Sequence, residues 1–387
     1  LIVVAFVLTV FAGMVSVYMK SFPYNFARPY LDAVVALYYS FRLDEEADSI
    51  QWPKQAVSEP GVTIFEKDKV AGDANIILTT GETRAMLTDM SGTLLHEWKI
   101  DFGNFWQDKS HIISLFPLDD DKFYFRDFHL YPNGDILLLV SAAGITPWGV
   151  GLVKLDKDSN SIWQYSGYVN NDFEIGPDGK IYVIEHKIRS QPVRYHDVAV
   201  YPFLEDRISV LTPDGQKTGD FSLIDTLENS AYRDILYQLT EDFTSTITQT
   251  GQDPTHSNSI EYVTQSYPDI PWLTKDSLLI SIRNLNALAS FDLKTGRINY
   301  AGGLPVRYQH DFDLLDNGNL LVFDNRGSFK KGGFSRVIEI SPDDFSIQWA
   351  YETQQGQRPF HSKFFGTQQR LDNGNTLIVD AESGRII

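Results

Sequence analysis

Tyr308 to Asn325 reads YQHDFDLLDNGNLLVFDN. Apolar residues alternate through Phe312 and Leu314, the run breaks at Asp316-Asn317-Gly318, and Leu320 to Phe323 resumes it. Apolar runs on both sides of an Asn-Gly pair read as two antiparallel strands joined by a tight turn of the type I′-compatible kind. His310 and Asp311 stand at the mouth of this hairpin, so a reactive side chain enters with its first strand.

The hairpin recurs around Asn133-Gly134 (FHLYPNGDILLLV), Asp178-Gly179 (FEIGPDGKIYVI) and Asn373-Gly374 (TQQRLDNGNTLIV). A second element, an apolar strand, a polar turn and a strand ending on an aromatic, recurs between them. It is seen at Leu87 to Trp98, Lys154 to Tyr165, Val210 to Phe221, Ser290 to Tyr300 and Glu339 to Tyr351. Joined, the two elements make four-stranded units at the spacing of propeller blades. Six are expected: Asn75–Ile100, Phe128–Tyr165, Phe173–Phe221, Ser257–Tyr300, Asp311–Tyr351 and Thr367 to the end. The last lacks an outer hairpin, which leaves the strand Val62 to Glu66 as one way to close the ring. A β-sandwich is the plainer alternative, but it does not account for the repeated outer hairpins. The expected fold is therefore all-β, a six-bladed β-propeller over 61–387.

Two helical segments are expected ahead of it. Leu1 to Met19 has no charged residue and is long enough to span a bilayer, so 1–19 reads as a transmembrane anchor, with a cleavable signal core as the rival reading. Residues 20–60 read as a short interfacial helix, Tyr30 to Arg42, followed by an acidic and proline-bearing linker. A helical insertion, Leu223 to Leu239 at helical spacing, is expected around 222–250, either as a pocket wall or as a plain surface excursion.

Composition narrows the partners. A formal charge of −18 on 387 residues argues against nucleic acid, and any anionic ligand must be held by a local cationic pocket. No cysteine is present, which removes disulfides, zinc–thiolate sites and thiol nucleophiles. Asp119-Asp120-Asp121 and Asp156-Lys157-Asp158 lack the spacing of a calcium loop and read as solvated turns. No metal and no cofactor is called for.

In a propeller the first strand of each blade starts at the central channel, so equivalent positions converge there. Seven residues before each turn Asn or Asp stand Arg126, Asn171, His310 and Gly366, and the fourth unit opens with Thr255-His256-Ser257-Asn258. A polar, cationic cluster in an acidic chain is a candidate site. His96, His111, His186, His196 and His361 show no partner pattern and read as surface or blade-edge residues.

The ordered segments DPTHSNSIEYV (Asp253 to Val263), LLISIRN (Leu278 to Asn284), QHDFDLLDNGNLLVFDN (Gln309 to Asn325) and GTQQRLDNGNTLIV (Gly366 to Val379) resemble the bacterial arylsulfotransferases, a likeness extending from Gly61 to Ile387. The resemblance implies a periplasmic propeller that moves a sulfuryl group from an aryl sulfate to a phenol without a nucleotide donor. It implies His310 as the transient sulfate carrier, with His256 and Arg283 holding the sulfonate oxygens; the repeat positions add Asn171 and Arg126, and the opening of the fourth unit adds Asn258, as candidate substrate-binding residues. Together with the anchor read at 1–19, the expected localisation is the inner (plasma) membrane, single-pass, with the propeller in the periplasm. One departure stands out: the family's further histidine falls, by repeat position, on Asn171 or, as the lesser alternative, on Arg126. The competing reading is thus a propeller without catalysis, serving as accessory subunit of a membrane protein complex. A quinone-cofactor dehydrogenase, the third option, would need a tryptophan docking pattern that the repeats lack.

Overall fold

The computed structural model describes residues 9, 11–15, 61–71, 75–79, 83–106, 108–114, 118–191, 193, 202–239, 253–326, 334–353, 360–362 and 364–387. The chain divides into two units, residues 1–51 and 52–387. Of the first, residues 9 and 11–15 are helical, with Phe11 and Met14 exposed. Among the described residues no helix is long and apolar enough to cross a membrane. The expected interfacial helix and linker lie outside the described residues.

The second unit is built from antiparallel meanders, each strand pairing with the next in sequence. Among the described residues six sheets follow in chain order, four of them four-stranded and the first and last three-stranded. The opening strands of successive sheets, Asn75–Thr79, Phe123–Leu130, Val169–Ile175, Ser257–Val263, His310–Leu314 and Thr367–Arg370, contact one another in turn, and so form the inner wall of a β-propeller. Second strands are sandwiched between neighbouring sheets and are buried on both faces, as Ile136–Ala142, Ser277–Ile282 and Leu320–Asp324 show throughout their length. Fourth strands such as Ile347–Glu352 are mostly exposed. Each buried Leu or Ile in the second strands contributes about 1.5–3 kcal/mol, which is why these stretches carry the longest apolar runs.

The Asn-Gly and Asp-Gly turns form where expected but with different geometry. Gly134 N donates to Tyr131 O at 2.9 Å, and only the glycine has a positive φ, +87°. A type I′ turn needs positive φ at both central residues; here Pro132 and Asn133 form an ordinary turn, and the glycine takes the left-handed position after it. Gly179, Gly318 and Gly374 repeat this at +77°, +85° and +86°. The preceding Asn or Asp is also needed, because its Oδ1 accepts the backbone N–H two residues on: Asn133 from Asp135, Asp178 from Lys180, Asn317 from Asn319 and Asn373 from Asn375, at 2.9–3.1 Å.

Neighbouring sheets are pinned at the inner wall by one repeated contact. Asp172 Oδ2 accepts Ile260 N at 2.8 Å, Asp311 Oδ2 accepts Gln368 N at 3.0 Å, and Ser259 Oγ accepts Phe312 N at 3.4 Å. Asp127 accepts the N–H of Phe173 in the same way. Asp311 thus orders the joint to the sixth sheet rather than its own hairpin. Residues 62–66 form no strand, contrary to one expected closure; instead Asn375 Nδ2 donates to Lys69 O at 2.8 Å, linking the last sheet to the start of the unit.

The insertion after the third sheet is shorter and more buried than its periodicity suggests. An α-helix, Leu223–Glu228, is capped by Ser222, whose hydroxyl accepts Asp225 N, and stops at Asn229; a 3₁₀ segment follows at Arg233–Gln238. Leu223, Ile224, Leu227, Ile235 and Leu236 join the core between the third and fourth sheets, so this stretch is part of the wall and not a free excursion.

Candidate functional site

The rim where inner strands begin and second strands end carries the polar cluster. His310 opens the fifth inner strand and is 7% exposed. Its Nδ1 lies 2.8 Å from Oδ1 of Asn325, the residue after the return strand. Asn325 Nδ2 donates to Ser362 O at 2.8 Å and Phe365 O at 2.9 Å, which turns the amide oxygen toward the imidazole. An amide oxygen only accepts, so the network assigns the proton to Nδ1 and the lone pair to Nε2. Burial first, then the charge of Arg283, holds the imidazole well below the usual histidine range; the charges of His256 and Arg126 act in the same direction. The product is a neutral ring with a nucleophilic nitrogen.

Arg283 heads a single 3₁₀ turn directly after the strand Ser277–Ile282. Its guanidinium lies 4.9 Å from the ring centre of Tyr308, Nη1 donates to Asn284 Oδ1 at 2.8 Å, and Nε is buried without a partner. Burial lowers its pKa. Among the described residues, each arginine that is not exposed forms an ion pair with a carboxylate, except Arg283 and Arg126. A desolvated guanidinium without an anion is costly unless it receives one, and its fork of donors suits a sulfonate or phosphate.

Arg126 donates through Nη2 to Asn171 Oδ1, and Asn171 Nδ2 donates to Ser257 O at 2.7 Å. Asn258 Nδ2 likewise donates to Gln309 O at 3.0 Å. Both asparagines therefore tie their strand to the next one, and Asn171 also aims Arg126. Irregular pairing marks these positions: the register shifts at Phe125/Asp127, Val169/Phe173, Ser257/Ser259 and His310/Phe312, and Asn171 has φ +64°. Bulges re-aim side chains at a sheet end, which explains how consecutive residues here serve different purposes. At the equivalent position of the sixth sheet, among the described residues, there is no side chain to contribute. Gly366, the counterpart of His310, has φ +135°, and a Cβ there would meet the Phe323 ring at 2.1 Å.

His256 precedes the fourth inner strand with φ +47°, and its Nδ1 lies 2.5 Å from Asp253 Oδ2. The ring of Trp148 lies 5.6 Å from it and 5.8 Å from that of His186. His186 corrects the sequence reading: it is not at a surface or blade edge but 2% exposed, with Nε2 3.1 Å from Asp206 Oδ1 and 3.9 Å from Asp253 Oδ2. Burial alone would lower its pKa, but the adjacent carboxylates of Asp206 and Asp253 outweigh it and raise it. Of the other histidines, His96 and His111 donate through Nε2 to the carbonyls of Lys157 and Val150, His361 packs on Phe334, and His196 lies outside the described residues.

The ligand atoms of His186, Asp206 and Asp253 lie within 4.8 Å of one another, the one such group among the described residues. The carboxylates are already engaged. Asp206 Oδ2 accepts Thr255 Oγ1 at 2.8 Å and Ser257 N at 2.7 Å, and Asp253 is held by His256.

Behind the rim, the next residues along the same strands are acidic: Asp127, Asp172, Glu174, Glu261, Asp311 and Asp313. None forms an ion pair with a cation among the described residues. Each is half-buried by surface yet enclosed by protein, as expected for the lining of a narrow channel. Burial raises all of them, Asp127 to about 7 and Glu174 to about 8, and mutual repulsion adds to burial for several. Two surface grooves, of about 360 and 570 Å³, lie at the turn ends of the sheets and contain none of the rim residues.

None of the curated proteins matches the chain. Solved structures of similar fold include a protein of unknown function from Bacteroides caccae (TM-score 0.45, 11% identity, covering 79% of this chain and 81% of that one) and a streptogramin B lyase (0.41, 13%, 82% and 89%). Residues 128–387, a span that contains His256, Arg283 and His310, match the model of the Arylsulfotransferase (ASST) family. On that match, which runs from the second inner strand to the last residue, the chain belongs to the arylsulfotransferase family.

Proposed function

We propose that the protein transfers a sulfuryl group from an aryl sulfate to a phenolic acceptor through a sulfohistidine at His310. The observation that carries this reading is the pairing of a neutral His310, its Nε2 lone pair free, with Arg283, a half-buried guanidinium that has no carboxylate. The aryl sulfate's sulfonate oxygens accept from Arg283, whose charge stabilises them as it spreads in the transition state. Nε2 attacks sulfur, the bond from sulfur to the aryl oxygen breaks, and the phenolate leaves. His256, anchored through Nδ1 to Asp253, hands a proton from Nε2 to that phenolate and later takes one from the incoming phenol. The acceptor oxygen then attacks sulfur and the N–S bond breaks, returning the lone pair to His310. Trp148 and Tyr308 supply aromatic surface for the two phenyl rings.

The test is a single-turnover reaction with a chromogenic aryl sulfate, following phenol release and intact protein mass together. A stoichiometric burst with one sulfuryl group on His310, absent in His310→Ala, is the expected result. A folded protein that releases no phenol from any of several donors would instead favour a non-catalytic accessory subunit.

The membrane assignment belongs to the proposal as well: 1–19 anchors the chain in the plasma membrane with the propeller on the periplasmic side. The apolar composition of that stretch supports this, and fractionation with protease accessibility of the intact cell tests it.

A further inference from the structure

His186 is the buried histidine that the proposed transfer does not use. It sits on the second strand of the third sheet, Ile181–Arg189, while Asp206 lies on the third strand, Phe203–Leu211. Asp253 and His256 belong to the loop before the fourth inner strand. His186, Asp206 and Asp253 all have fully buried side chains. Two buried carboxylates side by side are untenable without a compensating cation, and the His186 imidazole is the group placed between them.

What the two carboxylates do is hold one short segment. Asp206 Oδ2 accepts Thr255 Oγ1 and Ser257 N, the residues on either side of His256. Asp253 accepts His256 N at 3.1 Å through Oδ1 and holds Nδ1 through Oδ2. Asn284 closes the far side, its Nδ2 on Asp253 O at 2.7 Å and its N–H on Thr255 O at 3.1 Å. His256 thereby stays in a left-handed backbone conformation that a histidine adopts only when its surroundings over-determine it. Its ring is oriented by the one atom that is not needed for substrate.

We propose that His186 is a positioning residue for the transfer site: as counterion to Asp206 and Asp253, it fixes the Asp253–Ser257 loop and so aims His256 Nε2 at the leaving and accepting oxygens. This rests on the proposed transfer reaction. It supplies from the third sheet the extra histidine that repeat position placed at Asn171, but in a supporting shell rather than on substrate.

Because His186 acts through His256, their effects should not add. His186→Gln should slow transfer to a phenol acceptor about tenfold to a hundredfold, the scale expected when a catalytic group is misplaced, while leaving the burst with an activated nitrophenyl sulfate, which needs no proton. In a His256→Ala background the same change should cost nothing further. Thr255→Val, which removes only one bond to Asp206, should show the same non-additivity at smaller size, and serves if His186→Gln does not fold. Independently of activity, the low-field proton resonance of His256 Nδ1 should shift or vanish in His186→Gln. Full additivity, an unmoved His256 resonance, or stoichiometric binding of zinc or manganese that His186→Gln abolishes would each overturn the proposal. A wild type that never releases phenol would sink the transfer reaction alone, and the resonance would still decide the role of His186.

Discussion

The rim and the channel behind it are built from neighbouring residues of the same strands, yet they are electrostatic opposites. Arg126 is followed by Asp127, Asn171 by Asp172 and His310 by Asp311. At the rim, Arg126 and Arg283 stand without a carboxylate partner; one residue further in stand carboxyls without a cation partner among the described residues, their pKa raised by burial. Bulges at the strand starts let adjacent side chains diverge, so a chain of net charge −18 presents a small cationic patch backed by a wall of carboxyls. The difference teaches that local unpaired charge, rather than total charge, decides which ligand such a chain accepts.

The comparison breaks most completely at His310. His310→Ala should reduce sulfuryl transfer on the order of a thousandfold or more, as loss of a nucleophile does, with phenol release and protein-bound sulfate lost together. Arg283→Ala should follow, reducing kcat/KM on the order of a hundredfold to a thousandfold, comparable to removing one preorganised donor at a developing charge. Arg283→Lys should restore only part, because an ammonium cannot present the fork; steady-state kinetics on both variants check this.

Asn325→Asp sharpens the distinction by placing an anion on Nδ1. In the wild type His310 stays neutral well below pH 6.5, so its reactivity should hold as pH falls from 8 to about 6. With aspartate the imidazolium is favoured, and the single-turnover rate should decline over that same interval.

The smallest effect concerns stability, where the two regions carry opposite signs. Carboxyls such as Glu174 titrate near 8 when folded and near 4.5 when unfolded, so the folded state binds more protons between these values, and stability falls as pH rises through them. His310 is shifted downward, so its contribution is lost instead as pH falls below its unfolded value. Six carboxyls against one histidine predict a higher Tm at pH 5.5 than at pH 8 from these groups together. Glu174→Gln should narrow that gap by a few degrees, measured by thermal melts at the two pH values.

Much of the fold was legible because it repeats. Each Asn-Gly or Asp-Gly turn carries its own instruction, a glycine for the left-handed position and an oxygen to cap the next N–H, and the intervening apolar runs name the strands. The turn geometry itself was not legible, since Asn-Gly suits either turn and only the hydrogen bond back to Tyr131 or its equivalents distinguishes them. His310 was singled out because equivalent strand starts converge and His256 because it opens the fourth unit, whereas Arg283, at the end of a second strand, was named only through the family resemblance. Asn325 was missed although it lies two residues beyond the register partner of His310, a place the hairpin alone implies.

His186 was missed for a deeper reason. Nothing along the chain marks a histidine in an apolar strand as the partner of Asp206 and Asp253, which lie 20 and 67 residues away. The sequence by itself determined the meander of hairpins, their turns and the row of strand starts, because alternation and glycine act over a few residues. Only the tertiary structure decided which charges meet an opposite charge and which remain alone, because pairing depends on contacts between sheets; it left Arg283 without a carboxylate partner and His310 neutral at the candidate site.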